Sequence, residues 1–228
     1  MEKVVVISGG SDGLGKAIAK RLVKEYRVII LSPTQEKLKL VSAELGCNYR
    51  VCDVTSFEQV SSAVESIIKE YGKIDCLINC AGLWIEGELE TNDPTRIEQV
   101  IKVNTLGTIF LTKATATFMK EKKAGTIINI VSNAGLYAKA FRSIYVASKF
   151  ALTGFTKSLE EELAPQAIKV VGIYPGPMRT KFFEKIGIQK DMNKALDTDE
   201  VAKTIEFLLS LDPKTEIQTV ELKNIDYN

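Results

Sequence analysis

The chain has 228 residues, 45% of them hydrophobic, which suits a single α/β domain with a sizeable core. Thirty Lys and Arg against 29 Asp and Glu leave a formal charge of +1. No long basic run favours nucleic acid or an anionic membrane as partner, so a small molecule is expected. There is no histidine, which removes Ser-His-Asp, Cys-His and His-metal mechanisms and leaves Tyr, Lys, Asp, Glu and Cys for proton transfer.

The N-terminus, MEKVVVISGG, meets glycine too soon for a signal peptide. No apolar run approaches the roughly 20 residues that span a bilayer. A cytoplasmic protein is expected. Short β-branched runs then alternate with stretches of helical period: strand 4–8 and helix 14–25, strand 27–31 and helix 34–45, strand 49–54 and helix 57–71. The alternation continues with strand 75–80, helix 94–121, strand 126–132, helix 143–164 and strand 168–175. After an irregular segment come helix 198–211 and strand 216–222.

Runs such as VVVI and TIINIV are apolar on both sides, as strands between two helix layers must be. The fold class expected is therefore α/β, a doubly wound Rossmann-type parallel sheet with helices on both faces. No repeat, low-complexity tract or linker divides it, so 1–228 reads as one domain, with 177–197 as its substrate-binding segment.

Between the first strand and first helix stands Ser8-Gly9-Gly10-Ser11-Asp12-Gly13-Leu14-Gly15. Glycines at a strand–turn–helix junction let the backbone turn sharply and approach a phosphate, while the helix N-terminus presents unpaired N–H donors. No Lys-Ser or Lys-Thr follows the last glycine, which argues against an ATP or GTP loop and for a dinucleotide. The second strand ends in Leu31-Ser32-Pro33-Thr34, with neither the acid that binds the ribose of NAD nor the Arg that binds the phosphate of NADP. Ser32 and Thr34 are able to donate to a phosphate, whereas Asp12 would repel one. The missing acid tips the expectation to NADP over NAD.

Cys47, Cys52, Cys76 and Cys80 lie in or beside apolar runs at spacings unlike those of zinc knuckles, so buried, reduced thiols are expected and no metal. Tyr145 and Lys149 are four residues apart and share a helix face. A surface aromatic–lysine pair has the same spacing. A phenol serves as a base near neutrality only where a cation and a desolvated site favour the phenolate, and a lysine supplies such a cation.

Ser8-Gly9-xxx-Gly13-x-Gly15, Asn79-Cys80-Ala81-Gly82, Asn104, Ser132 and Tyr145-xxx-Lys149 occur in one order. With Asp53-Val54 and Pro175-Gly176-Pro177-x-x-Thr180, the chain resembles the short-chain dehydrogenases/reductases from its N-terminus to about residue 180. The resemblance implies hydride transfer between a nicotinamide cofactor and a small, largely apolar carbonyl or alcohol, with no metal. It makes Tyr145 the proton donor or acceptor, with Lys149 lowering its pKa and holding the nicotinamide ribose. Ser132 would hydrogen-bond the substrate oxygen, and Asn104 would hold a water that links Lys149 to solvent. The competing readings are a strand-end cap for Ser132 and the anchor of a helix bend for Asn104.

Cofactor contacts implied in the same way are Ser8, Gly9, Ser11, Asp12, Gly13, Leu14, Gly15 and Ser32 on the phosphate and ribose side. Asp53 and Val54 are implied at the adenine, Asn79, Ala81 and Gly82 along the adenosine ribose, and Pro175, Gly176 and Thr180 by the nicotinamide, with Tyr145 and Lys149. Ser8 and Cys80 depart from the family's usual Thr and Asn, and EIQTVELKNIDYN lacks the Gly-rich ending of the ketoacyl-carrier-protein reductases. Leu83, Trp84, Tyr137, Phe141, Met178, Phe182 and Phe183 are expected to line the substrate pocket, though Trp84, Phe182 and Phe183 equally suit a core. Lys139, Arg142 and Lys181 are candidates for an anionic substrate group. The resemblance also implies a homodimer or homotetramer; a silent NAD(P)-binding regulator is the alternative to an enzyme.

Overall fold

The computed structural model describes residues 2–180 and 192–226. A seven-stranded parallel sheet runs β3-β2-β1-β4-β5-β6-β7. Its strands are β1 (Val4–Ser8), β2 (Arg27–Ser32), β3 (Asn48–Val51), β4 (Cys76–Asn79), β5 (Gly125–Ile130), β6 (Ile168–Pro175) and β7 (Thr219–Leu222). The helices are α1 (Gly13–Leu22), α2 (Gln35–Leu45), α3 (Phe57–Tyr71), α4 (Pro94–Ile101), α5 (Gly107–Lys122), α6 (Ser143–Leu163) and α7 (Thr198–Ser210).

The doubly apolar strands divide their side chains between two cores because successive residues of a strand point to opposite faces. Val4 and Val6 pack with α3, α5 and α6 on one face. Val5 and Ile7 pack with α1, α2 and α7 on the other. All four are buried, each contributing roughly 1.5–3 kcal/mol of burial. β1 therefore sits at the middle of the molecule, flanked by β2 and β4. The chain leaves β1 for one edge, returns to β4 and continues to the other edge. The connections that leave the carboxyl ends of β1 and β4 lead toward opposite edges of the sheet at this switch point, where open parallel sheets bind ligands.

Three of the differences from the sequence expectation have a visible cause. The helix predicted over 94–121 is interrupted by a π-helical turn at Lys102–Leu106. Buried Asn104 in that turn points out of the helix, and Gly107 after it abuts Val54, where an added Cβ would lie 2.6 Å from Val54 Cγ2. Strand β3 stops at Val51 because the Asp53 carboxylate accepts hydrogen bonds from the Thr55 N–H and hydroxyl, closing a turn. Strand β7 begins only at Thr219 because Val170 N–H donates to the Glu216 carboxylate at 3.1 Å instead of to a backbone carbonyl.

Candidate active site

The first turn folds as its glycines require. Gly9 (φ +67°) and Gly13 (φ +50°) are left-handed, and a Cβ on Gly9 would lie 2.9 Å from the Ala81 Cα. A Cβ on Gly15 would lie 2.3 Å from the Gly9 carbonyl oxygen. The turn thus packs directly on the end of β4. The Ser8 hydroxyl fastens the junction by accepting from the N–H groups of Cys80 and Ala81 at 3.0 and 3.1 Å. Asp12 caps α1 through the Gly13 N–H at 2.7 Å. The Ser11 and Ser32 hydroxyls are 3.0 Å apart and join the turn to the end of β2.

A cavity of about 250 Å³ opens at this switch point. Gly9, Ser11, Asp12, Gly13, Leu14 and Gly15 form one wall; Ser132, Tyr145 and Lys149 form another. Ala81, Gly82, Pro175, Gly176 and Thr180 also line it. The four-residue spacing does bring Tyr145 and Lys149 together: the ammonium lies 5.8 Å from the phenol ring centroid. It donates to the Ile130 carbonyl at 3.1 Å.

The charge states of this pair depart from the expectation. Burial pushes Tyr145 up to about 12, opposed by a hydrogen bond with Ser132 and by the Arg142 cation. Burial lowers Lys149 to about 8. Lys149 is not among the groups that shift the phenol; its ammonium faces the ring and donates one hydrogen bond to a backbone carbonyl. Ser132 adopts φ +125°, a region costly for any residue with a side chain, on the order of 1–3 kcal/mol. Its hydroxyl also accepts from the Ala134 N–H at 3.2 Å, so it is a strand-end cap that touches Tyr145 as well.

Other residues named from the sequence stand behind this surface. The fully buried Asn104 accepts from Leu83 N–H at 2.7 Å and donates to the Leu83 carbonyl and the Ser148 hydroxyl, each at 3.0 Å. Its side chain thus anchors the helix bend, with both N–H donors used and the amide oxygen accepting one bond. Buried Asn79 donates to Thr112 and Asn129, beneath the cavity wall and not along it. Ser8, Ser32, Asp53 and Val54 are likewise outside the cavity lining.

Over the phenol lies a roof that the sequence only partly indicated. Trp84 packs on Tyr145 and is buried with Ile85 and Val100, against Leu83 and Met192. Tyr137 and Phe141 do not line the cavity and are 59% and 64% exposed; the left-handed backbone of Phe141 turns its carbonyl to the Gly87 N–H at 2.8 Å. Met178 lines the cavity, and the strand-like bridge between Met178 and Leu196 closes the base of the 177–197 segment. Lys181, Phe182 and Phe183 lie outside the described residues.

Residues 3–191 match the family model described as short chain dehydrogenase. The chain belongs to the short-chain dehydrogenase/reductase family. It is 34% identical over 218 residues to carbonyl reductase family member 4 of Xenopus tropicalis, covering 92% of each chain. The structure of ElxO with NADP bound superposes with a TM-score of 0.87 at 31% identity, over 97% of this chain and 98% of that one. An alcohol dehydrogenase from the archaeon Thermococcus sibiricus, complexed with 5-hydroxy-NADP, gives 0.90 at 25% identity, over 98% and 97%.

This short-chain dehydrogenase thus gathers Ser132, Tyr145 and Lys149 at one cavity and uses Asn104 and Asn79 to brace it. Ser148 escaped sequence reasoning, although it directly precedes Lys149; its hydroxyl links Asn104 to the Tyr145 carbonyl. Cys80 also lines the cavity, with burial pushing its thiol up to about 12. Cys47, Cys52 and Cys76 are free and buried. Among the described residues no helix is long and apolar enough to cross a membrane.

Proposed function

We propose that the chain uses NADP to reduce a small, largely apolar carbonyl compound, or to oxidise the matching alcohol, with Tyr145 as proton donor or acceptor. The observation that carries this reading is the meeting of Ser132, Tyr145 and Lys149 with the Gly9–Gly15 turn across one cavity. A phenol held to about 12 keeps its proton through the neutral range, which suits the donor role in reduction. Ser132 orients the carbonyl oxygen toward that proton, and Lys149 holds the ribose hydroxyls. When bound, the dinucleotide supplies or accepts the hydride.

The turn fits such a cofactor: Gly9 and Gly13 leave backbone where side chains would stand, and the α1 N-terminus faces the cavity. The carboxylate of Asp12 takes one N–H there, so the pyrophosphate binds against the others. Ser11 and Ser32 receive the adenosine ribose, and no acid stands at the end of β2. The nucleotides in ElxO and the Thermococcus enzyme support NADP over NAD. Residues 1–228 work as one cytoplasmic unit, with 177–197 as substrate-binding segment, in a homodimer or homotetramer.

The test pairs nucleotide fluorescence titrations with Tyr145→Phe. The wild type should bind NADPH more tightly than NADH and oxidise it with a carbonyl substrate. The variant should bind NADPH as well and lose kcat by about a thousandfold or more. Undiminished turnover in the variant would overturn the role of Tyr145, and a monomer by light scattering the proposed assembly.

A further inference from the structure

Arg142 immediately precedes α6 and stands three residues before Tyr145. It follows Phe141, whose backbone is left-handed. Its side chain lines the same cavity as Ser132, Tyr145 and Lys149 and is only 23% exposed. Two contacts hold it: the guanidinium lies 5.1 Å from the Trp84 ring centroid, and Nε lies 3.4 Å from the Glu86 carboxylate. Glu86 is outside the cavity lining.

Three other arginines show what the side chain does when a carboxylate of the fold fills its fork, whereas Arg179 only approaches Asp197, at 3.9 Å. Arg21, Arg27 and Arg50 each donate hydrogen bonds to a carboxylate. Among the described residues the Arg142 guanidinium donates none. A guanidinium carries a planar fork of N–H donors that matches a carboxylate through two parallel hydrogen bonds, and a partly desolvated one is costly to leave unfilled. The Trp84 face fixes the plane of the fork, and Glu86 steadies its root, without consuming it.

We propose that Arg142 binds a carboxylate of the substrate, so that the chain acts on an oxo acid or hydroxy acid whose carbonyl or hydroxyl oxygen lies at Tyr145 and Ser132. The proposal rests on the oxidoreductase reading above and narrows its substrate class. Apolar Trp84 and Met178 line the space for the rest of such a molecule. Arg142 also acts to lower the Tyr145 pKa; a carboxylate on the guanidinium cancels part of that effect and leaves the phenol protonated, which favours reduction of an oxo acid.

Trp84 is the only tryptophan of the chain and touches both Arg142 and Tyr145, so its emission reports occupancy without turnover. The experiment titrates the full chain, free and with NADP, with 2-oxopentanoate, 4-oxopentanoate and the methyl ester of each. At least one acid should bind about tenfold or more tightly than its ester. Arg142→Met should abolish that preference, and Arg142→Lys, which keeps the charge and loses the fork, should fall between. If neither acid is preferred to its ester, or if Arg142→Met retains the preference, the proposal is overturned. NADPH affinity, read separately from the nucleotide's own fluorescence, tests the oxidoreductase reading: its absence would sink that reading, while equal response to acid and ester sinks only the carboxylate proposal.

Discussion

The ring of Trp84 lies 4.2 Å from that of Tyr145, centroid to centroid, inclined at 51°. The indole covers the phenol, and burial raises the phenol's pKa. In difference spectra between wild type and Tyr145→Phe, this phenol should ionise near 12, well above an ordinary tyrosine. Trp84→Ala admits water and should bring the ionisation back toward about 10. An unchanged value in Trp84→Ala would mean that the indole is not the cause.

Lys149 makes the opposite prediction. Its proton is held to 10.5 in the unfolded chain and only to about 8 in the native one. Between these values the unfolded state binds more protons, so this group makes stability rise with pH through the window. Below pH 8 the full penalty applies, on the order of 3 kcal/mol. Urea denaturation of Lys149→Met should show its advantage over wild type largest near neutrality and shrinking toward pH 10. A gap constant with pH would refute the shifted lysine.

Ser132 is held in a strained backbone conformation while its hydroxyl touches Tyr145. Ser132→Ala loses the hydroxyl and keeps the strain, whereas Ser132→Gly loses both. The two variants should be equally impaired in turnover, yet the glycine variant should be more stable by about 1 kcal/mol once its own entropy cost is counted. Thermal melts decide this, and a less stable glycine variant would show that φ +125° carries no strain.

Asn104 is predicted to matter through position. Asn104→Ala leaves the Leu83 N–H and carbonyl and the Ser148 hydroxyl without their partner and should cost about 3 kcal/mol. Because Leu83 adjoins Trp84, the variant's tryptophan emission should shift to the red as the roof loosens. Unaltered emission would separate the bend from the roof.

Much of this molecule was legible in the chain because its signals are local. The βα alternation, the Gly9–Gly15 turn and the four-residue step from Tyr145 to Lys149 follow from backbone periods, which neighbours in sequence share. Interruptions were less visible: the π-helical turn at Lys102–Leu106 arises from bonds between Asn104 and Leu83, 21 residues away.

The sequence by itself determined a doubly wound parallel sheet, a glycine turn at its switch point and a tyrosine and lysine on one helix face. Only the tertiary structure decided that Asn79 and Asn104 bond to the fold behind the cavity lining, that burial raises the Tyr145 pKa against Ser132 and Arg142, and that Arg142 lines the site beside Trp84 and Glu86. The reason is physical. Periodicity is a property of consecutive residues, whereas the partner of a buried amide, and the water denied to a buried charge, depend on segments that meet only when the sheet has formed.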